Sequence, residues 1–462
     1  PILGSAGAET AALVVVPLIT LGIAMTLAAR IAWRLLGEQE TTFAALIVAL
    51  SVPVIAQVSP MRIDHHGWQL VFILAALNGL MARSPVVGGY AIGASLAALM
   101  VISIEGLPLS VVFFAVLAWR WVRNRADSVW LLSAIQSLAF SSAALFLATR
   151  GLGELRTYCD AISPLHVAIF VWGAVALSVV ARFEPLPLAL RLTGFAVTGA
   201  GALAFVGFGA PQCATGGGFA ELDPLVHDFW YIHIKEGMPV WHQKVDVALQ
   251  YAIVPFFGLA AALKLARESR DWLRRFWSDY ALILGGSILV SLLVARAGAA
   301  ACLIAAPPLA WQLNRWLRAA RKVPSPLKRV GAMLAIACVL MPTLPLAAGQ
   351  IFVPVKAQDG VVPENHLKWS DCRIEASADI LNALPVGEIF IPLHTAPRVL
   401  LVSHHTVIAT GHHRGSPAMN EVLEVSMGTS EDAQKRLAAR ETSYVAICPR
   451  LIEGLNYAHT AP

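Results

Sequence analysis

The chain has 462 residues, of which 57% are hydrophobic and only 14% are charged. A mean hydropathy of +0.67 excludes an ordinary soluble protein and indicates an integral membrane protein. The formal net charge of +5 does not indicate a nucleic-acid partner, because the basic residues occur in small clusters between apolar runs.

Apolar runs recur from the first residues to about residue 349. A spanning helix needs about 20 such residues, and by this rule we predict about twelve spans. The predicted spans lie near residues 9–33, 41–58, 68–82, 86–104, 107–121, 128–149, 162–181, 190–208, 246–264, 278–296, 298–313 and 329–349. The predicted fold is therefore mostly α, with a polytopic helical membrane domain over residues 1–349.

The basic residues predict the orientation of these helices. If the spans alternate, four basic clusters fall on one side, which the positive-inside rule makes the cytoplasm. They are Arg30/Arg34, Arg120/Arg123/Arg125, Lys264/Arg267/Arg270/Arg274/Arg275 and Arg315/Arg318/Arg321/Lys322/Lys328/Arg329. We therefore predict a multi-pass protein of the inner (plasma) membrane with its polar loops and its C-terminus on the periplasmic side.

Residues 350–462 differ in composition from the membrane domain and predict a small extracytoplasmic α/β domain. Thr429 and Asp432 form a capping box at the start of one predicted helix. In an oxidising compartment Cys372–Cys448 is the first candidate disulfide and Cys159–Cys213 the second. Strand-like runs at 388–393, 398–403, 406–410 and 443–448 alternate with helical patterns near 374–384 and 430–440.

The segment S-P-M-R-I-D-H-H-G-W-Q at residues 59–69 places several ionisable groups between two apolar runs. Such groups cost several kcal/mol when merely buried in a membrane, so the cluster predicts a functional site. Asp64 and His66 point the same way in an extended loop and are candidate ligands of a divalent metal ion, Mg or Mn. Arg62 and His65 are candidate substrate-binding residues, the former for a phosphate. The alternative is a polar interfacial turn in which Asp64 caps the next helix.

Two further carboxylates are candidate catalytic residues. Glu105 follows the predicted span 86–104 at its outer end, where it is either a ligand or substrate contact, or a solvated helix end. Glu236 lies in a long loop, residues 209–245, in which three consecutive glycines allow mobility. This loop either delivers Glu236 over the site or carries it as a solvated charge.

Two histidine clusters lie in the C-terminal domain. His412-His413-Arg414 follows a predicted strand and Gly411, as binding loops often do, so His413 and Arg414 are candidate substrate-binding residues. Surface solvation is the simpler interpretation of His404.

These features resemble the GT-C superfamily of membrane glycosyltransferases, which includes the bacterial and archaeal oligosaccharyltransferases. Its members have many spans, a D-x-D-like motif on an outer loop, a mobile outer loop with a catalytic-site Glu, and a C-terminal extracytoplasmic domain. Here Arg62-x-Asp64-His65-His66 resembles the second acidic motif, with His66 replacing the second acid, and Glu236 matches the mobile-loop Glu by position. More narrowly, the chain resembles a proteobacterial branch with an R-I-D-H-H-G-W-Q motif.

The sequence departs from that superfamily at two points. Members carry a first catalytic Asp after their first span, whereas no Asp precedes Asp64 here. Since the chain begins at Pro1 without a signal-peptide pattern, we expect a leading helix and loop outside this sequence. Trp369-Ser370-Asp371 is a poor match to the W-W-D motif that reads glycosylation sequons, so N-glycosylation in particular is not predicted.

The resemblance implies sugar transfer from a polyprenyl-phosphate-linked donor in the lipid bilayer to an acceptor glycan, lipid or protein on the periplasmic face. It implies a metal ion at Asp64 and His66 that neutralises the departing phosphate, and a carboxylate such as Glu236 that activates the acceptor. The alternatives are a non-catalytic accessory subunit of a membrane complex and a transporter. A transporter is disfavoured because the charges lie at helix ends and no internal repeat is present.

Overall fold

The computed structural model describes residues 4–214, 222–345, 374–448, 451, 453, 454 and 457. The chain forms two compact units. One comprises residues 1–215 and 235–352, and the other comprises residues 216–234 and 353–462. The domain boundary predicted at residues 349 and 350 lies outside the described residues.

All the regular secondary structure in the described residues of the first unit is helical. Its α-helices are α1 Gly4–Leu35, α2 Glu38–Leu50, α3 Val52–Gln57, α4 His66–Gly79, α5 Pro85–Ile102, α6 Leu107–Arg123, α7 Ser128–Thr149, α8 Pro164–Arg182, α9 Leu188–Gly209, α10 Pro211–Ala214, α12 Val245–Glu268, α13 Asp271–Leu293, α14 Gly298–Arg321 and α15 Pro326–Leu340, with α11 in the second unit. Short 3-10 helices lie at Ile104–Gly106, Arg125–Asp127, Lys235–Gly237, Val240–His242 and Ala295–Ala297.

Within the described residues, eight helical segments are long and apolar enough to cross a membrane, namely those containing α1, α5, α6, α7, α8, α9, α12 and α13. Exposed apolar side chains such as Phe208, which is 92% exposed, fit a lipid-facing surface. The chain is therefore a multi-pass membrane protein, but twelve spans are not confirmed. The span predicted at 41–58 is broken at Ser51, because Pro53 has no N–H to continue the helix.

Hydropathy alone does not give the number of spans, and α14 shows why: it contains a predicted span but is not among these eight segments. Residues 298–310 are all buried, and α14 packs against α2, α12 and α13. A helix surrounded by other helices needs small residues for close approach rather than large apolar ones that face lipid. Five alanines between residues 299 and 306 meet that need, and the prolines and polar residues that follow them in α14 lower its hydropathy.

Glycines of α5 allow a similarly close contact with α7. A Cβ atom at Gly89 would lie 2.5 Å from the Cβ of Ser133, and one at Gly93 would overlap the carbonyl oxygen of Ala134. The pair Gly89-x-x-x-Gly93 is the small-residue spacing typical of helices that pack backbone to backbone in membranes.

Polar contacts between helices fix which ends lie together. Arg120 at the end of α6 pairs with Asp279 near the start of α13 at 2.6 Å, and Arg318 of α14 donates to Gln39 of α2 at 2.9 Å. At the other end of α6, Glu105 pairs with Arg296, just before α14. The basic clusters therefore lie at one end of the bundle, and the segment around Asp64 lies at the other.

The second unit contains a three-stranded parallel sheet in the order β2-β1-β3, made of β1 Glu388–Phe390, β2 Thr406–Val407 and β3 Tyr444–Val445. In register, Glu388 lies opposite Thr406 and Ile389 lies opposite both Val407 and Tyr444. Its helices are α11 Pro224–Phe229, α16 Ala378–Ala383, α17 Ala396–Val402, α18 Ser416–Met427 and α19 Ser430–Ala439, with 3-10 helices Tyr231–His233, Glu375–Ser377 and His413–Gly415. Apolar clusters cover both faces of the sheet, with Ile389 in one and Phe390 in the other, as the alternation of strand side chains requires.

The α/β class of the second unit is confirmed, with differences in detail. The Thr429 hydroxyl accepts the Asp432 N–H, which confirms the predicted cap of α19. The strand predicted at 398–403 is wrong: residues 398–402 lie in α17, and Pro397 favours the first turn of that helix because its φ is fixed near the helical value. Cys159 and Cys213 form a disulfide, as predicted for the second candidate pair. Cys372 lies outside the described residues, so its pairing with Cys448 stays a prediction.

Candidate functional site

The ionisable segment forms the turn between α3 and α4, residues 58–65. Met61 has a φ of 70°, a left-handed conformation that is uncommon for a residue with a side chain. Its N–H donates to the carbonyl of Leu13 at 2.9 Å, which ties the turn to α1. At the start of α4, a Cβ atom on Gly67 would lie 3.0 Å from both Thr20 and Val58, so α4 begins in close contact with its neighbours.

Asp64 uses both carboxylate oxygens within this turn. Oδ1 accepts the His66 N–H at 2.9 Å, and Oδ2 accepts the Arg62 Nε–H at 2.7 Å. The first bond supports the start of α4, and the second orients the guanidinium. Asp64 therefore both supports the first turn of α4 and orients a cation, although His65 rather than Asp64 is the N-cap residue of that helix.

His65, His66 and Glu105 form the one cluster among the described residues whose ligand atoms are close enough to share a metal ion, all within 4.8 Å of one another. The two imidazole rings lie 4.0 Å apart between centroids, and the His66 Nδ1 lies 3.2 Å from the Gln69 Oε1. The His65 Nε2 is buried without a hydrogen-bond partner in the described part of the chain, and it lies 3.7 Å from the Glu105 Oε2. Two imidazoles and a carboxylate with one unsatisfied nitrogen are a donor set that fits a divalent metal ion. Asp64 is not in this cluster.

Arg296 is a further candidate site residue, which the sequence did not single out. Its Nη1 donates to the Glu105 Oε1 at 2.8 Å, and its carbonyl accepts the Gln57 side-chain amide at 2.9 Å. Its Nε is buried and has no hydrogen-bond partner among the described residues. One sequence feature could have indicated it: Arg296 follows α13 at the end of the bundle opposite to the basic clusters.

Glu236 lies beside Arg62, with 3.7 Å between its Oε2 and the Arg62 Nη2. The 3-10 turn that carries Glu236 is held in place by the Ala295 N–H, which donates to the Met238 carbonyl at 3.0 Å. The Gln243 side-chain amide closes this segment on the carbonyl of Lys235. Arg62 thus stands between two carboxylates, those of Asp64 and Glu236.

The loop predicted over residues 209–245 is divided between the two units. Residues 215–221 lie outside the described residues, residues 222–234 pack in the second unit, and Glu236 belongs to the first. Val226 and Trp230 are buried in an apolar cluster with Met419 of α18.

His413 and Arg414 lie in the second unit, in the 3-10 helix that leads into α18. In the same unit, Glu453 is buried and accepts the N–H groups of Leu393 and His394, at 2.8 and 3.1 Å, directly after β1. Burial by itself would raise the pKa of this carboxyl, but hydrogen bonds from His394 and Tyr457 outweigh it, and the pKa lies below its usual range. Glu453 therefore fixes the segment that leaves the central strand.

No protein-family model and no curated protein matches the sequence. The structure, in contrast, matches that of the archaeal oligosaccharyltransferase AglB from Archaeoglobus fulgidus, solved with an inhibitory peptide and a dolichol-phosphate, with a TM-score of 0.64 and 15% identity. The match covers 96% of this chain and 59% of AglB. The chain thus spans less than two thirds of the length of that enzyme.

Two other structures of the oligosaccharyltransferase from the same organism agree. One, tethered to an acceptor peptide containing the NVT sequon, has a TM-score of 0.62 at 15% identity, with 95% of this chain and 58% of that chain covered. The other, a complex with Zn and sulfate, has a TM-score of 0.58 at 14% identity, with 96% and 56% covered. The GT-C fold inferred from the sequence motifs is confirmed. At this identity the likeness establishes the fold and leaves activity to be argued from the site.

Proposed function

We propose that this protein is a GT-C-type glycosyltransferase that moves a sugar from a polyprenyl-phosphate-linked donor to an acceptor on the outer face of the inner membrane. The observation that carries the proposal is the convergence of Arg62, Asp64, His65, His66, Glu105 and Glu236 at one end of a bundle with the oligosaccharyltransferase fold. The related enzyme has been solved with a dolichol-phosphate and with acceptor peptides, which supports a lipid-linked donor.

In this proposal Arg62 binds a phosphate oxygen of the donor. Its 3.7 Å contact with Glu236 is longer than a hydrogen bond, whereas its bond to Asp64 is 2.7 Å. An incoming phosphate therefore displaces Glu236 and leaves Asp64 in place to orient the guanidinium. The released Glu236 carboxylate is then available to accept a proton from the acceptor.

His65, His66 and Glu105 are the residues that best fit a divalent metal ion, and their two imidazoles favour Mn over Mg, which takes oxygen ligands. Asp64 remains the fourth candidate. The zinc complex of the related enzyme supports a metal in this fold. When bound, such an ion neutralises negative charge on the departing phosphate. Arg296 stabilises the Glu105 carboxylate in its charged form by the 2.8 Å ion pair, ready to act as a ligand.

The C-terminal unit, proposed to lie in the periplasm, supplies His413 and Arg414 for the acceptor or the donor glycan. The guanidinium of Arg414 and the imidazole of His413 suit hydroxyl or phosphate groups of such substrates.

The test compares two matched glutamates. Glu105 and Glu268 each pair with an arginine at 2.8 Å, with Arg296 and Arg315 respectively, but at opposite ends of the bundle. In a deletion strain we expect lipid-linked saccharide to accumulate and a glycoconjugate to disappear, both measured by mass spectrometry of cell extracts. Wild type and Glu268→Gln should restore the product, and Glu105→Gln should not.

The alternatives give different results in the same strains. If the deletion strain loses the glycoconjugate and Glu105→Gln restores it fully, the protein is better explained as a non-catalytic accessory subunit of a membrane complex. An unchanged saccharide profile in the deletion strain would reject sugar transfer altogether.

A further inference from the structure

A second polar site lies at the end of the bundle opposite Asp64. There the ends of α1 and α6, the turn between α4 and α5, and the starts of α7 and α13 enclose a cavity of about 810 Å³. The 17 residues of α6 separate it from Glu105 by about 25 Å at 1.5 Å per residue. Five arginines line the cavity: Arg34, Arg83, Arg120, Arg123 and Arg275.

Most of this positive charge is not neutralised by the protein. Among the described acidic residues only Asp127 and Asp279 line the cavity, so the five arginines leave a formal excess of three positive charges. Arg34, Arg83, Arg123 and Arg275 are exposed, and within the described part of the chain their side chains make no hydrogen bond or ion pair. Like charges gathered around one cavity repel each other, and an anion in the cavity relieves that repulsion.

Asp279 adds a second and independent indication of a ligand. It is only 2% exposed and lines the cavity, and its Oδ2 accepts the Arg120 Nε–H at 2.6 Å. Its Oδ1 is buried and has no hydrogen-bond partner among the described residues. A buried acceptor without a donor is costly, so a bound molecule that brings a hydroxyl donor satisfies it. Arg120 itself is held over the Trp130 ring, 4.9 Å from its centroid.

Apart from Asn124, the remaining residues that line the cavity are apolar or aromatic. Leu35, Pro85 and Phe276 contribute to them, and Trp272 is 43% exposed at the rim. Guanidinium groups beside apolar walls, at the end of membrane-spanning helices, match a lipid whose phosphate lies at the headgroup level. A small soluble anion satisfies the arginines but leaves these apolar walls without a partner.

We propose that this cavity binds an anionic phospholipid of the phosphatidylglycerol type, with its phosphodiester among the arginines and a headgroup hydroxyl donating to Asp279. Arginine suits the phosphate because its planar guanidinium donates two parallel hydrogen bonds. The proposal depends on the membrane location of the chain and not on sugar transfer.

The test measures lipid binding to the full chain by native mass spectrometry after delipidation in a neutral detergent. Arg34→Gln/Arg83→Gln/Arg275→Gln removes three cavity arginines, and the control Arg182→Gln/Arg267→Gln/Arg321→Gln removes three exposed arginines at the same end but outside the cavity. Each cavity arginine contributes roughly a fivefold change in affinity, so the first variant should lose about 100-fold and the control little. Equal binding by the two variants would overturn the proposal.

Two further measurements keep the proposal falsifiable. A thermal melt tests whether the triple variant is folded in detergent. If it is unfolded, Arg83→Gln alone should bind phosphatidylglycerol roughly fivefold more weakly than wild type. Phosphatidylmethanol has the same phosphodiester without the hydroxyls, and it should bind roughly fivefold more weakly than phosphatidylglycerol because Asp279 gains no donor. Equal affinities for those two lipids would overturn the headgroup assignment. Displacement of phosphatidylglycerol by millimolar inorganic phosphate would reassign the cavity to a free anion.

Discussion

Replacing Asp64 by Asn and by Ala separates its two structural roles. Asn keeps a side-chain oxygen that can accept the His66 N–H but has no negative charge for Arg62, whereas Ala removes both bonds. The side chains of Arg62 and Asp64 are 39% and 25% exposed, so the ion pair contributes at most about 1 kcal/mol to stability. We expect Asp64→Asn to cost less than about 1 kcal/mol and Asp64→Ala about 1–2 kcal/mol, since Asn caps a helix about as well as Asp.

Activity should respond differently from stability. If Asp64 orients Arg62 toward a phosphate, both variants should lower the rate of transfer by about 100-fold or more, the range typical of a misplaced catalytic group. The assay is product formation by purified protein with lipid extract from the deletion strain, with thermal unfolding measured on the same samples. Asp246→Asn removes an exposed carboxylate from the first turn of α12 and serves as the control, with activity unchanged. Wild-type activity in Asp64→Asn combined with a destabilised Asp64→Ala would refute the catalytic role and leave only the helix cap.

Three further predictions concern the metal, the topology and the C-terminal unit. If His65, His66 and Glu105 are the ligands, Mn²⁺ binding measured by electron paramagnetic resonance should be lost in Glu105→Gln and retained in Asp64→Asn. The opposite pattern would favour Asp64 and His66 as the metal ligands. A membrane-impermeant thiol reagent should label Cys159 and Cys213 in intact cells only after their disulfide is reduced. A cysteine introduced at Arg270 should stay unlabelled. Labelling at residue 270 would reverse the proposed orientation. Because the folded pKa of Glu453 is depressed, its contribution to stability is present above the ordinary glutamate pKa and is lost as the pH falls through the lower, folded value. The amide protons of Leu393 and His394 should therefore exchange faster in acid than at neutral pH, after correction for intrinsic rates. In Glu453→Gln the corrected exchange should be the same in acid as at neutral pH.

The sequence by itself determined that this is a membrane protein and indicated the segment that carries much of the candidate site. Hydropathy, which depends only on composition along the chain, predicted the helical regions of the first unit, although the span predicted at 41–58 is two helices. The charged segment around Asp64 was conspicuous because such groups are costly beside lipid. The helix cap at Thr429 was equally readable, since its two partners are three residues apart.

Only the tertiary structure decided which distant residues meet. Glu105 and Arg296 are 191 positions apart, and no local pattern predicts a pair of that kind. The candidate metal ligands differ from the predicted pair Asp64 and His66 for the same reason: Glu105 is distant in the sequence, and the Asp64 oxygens are already used by Arg62 and by the first turn of α4. Four of the five arginines around the second cavity belong to three separate basic clusters in the sequence, and Arg83 belongs to none; helix packing alone brings the five around one cavity. Hydropathy reports a residue's preference for lipid, whereas these contacts depend on which helix ends are neighbours in the folded bundle.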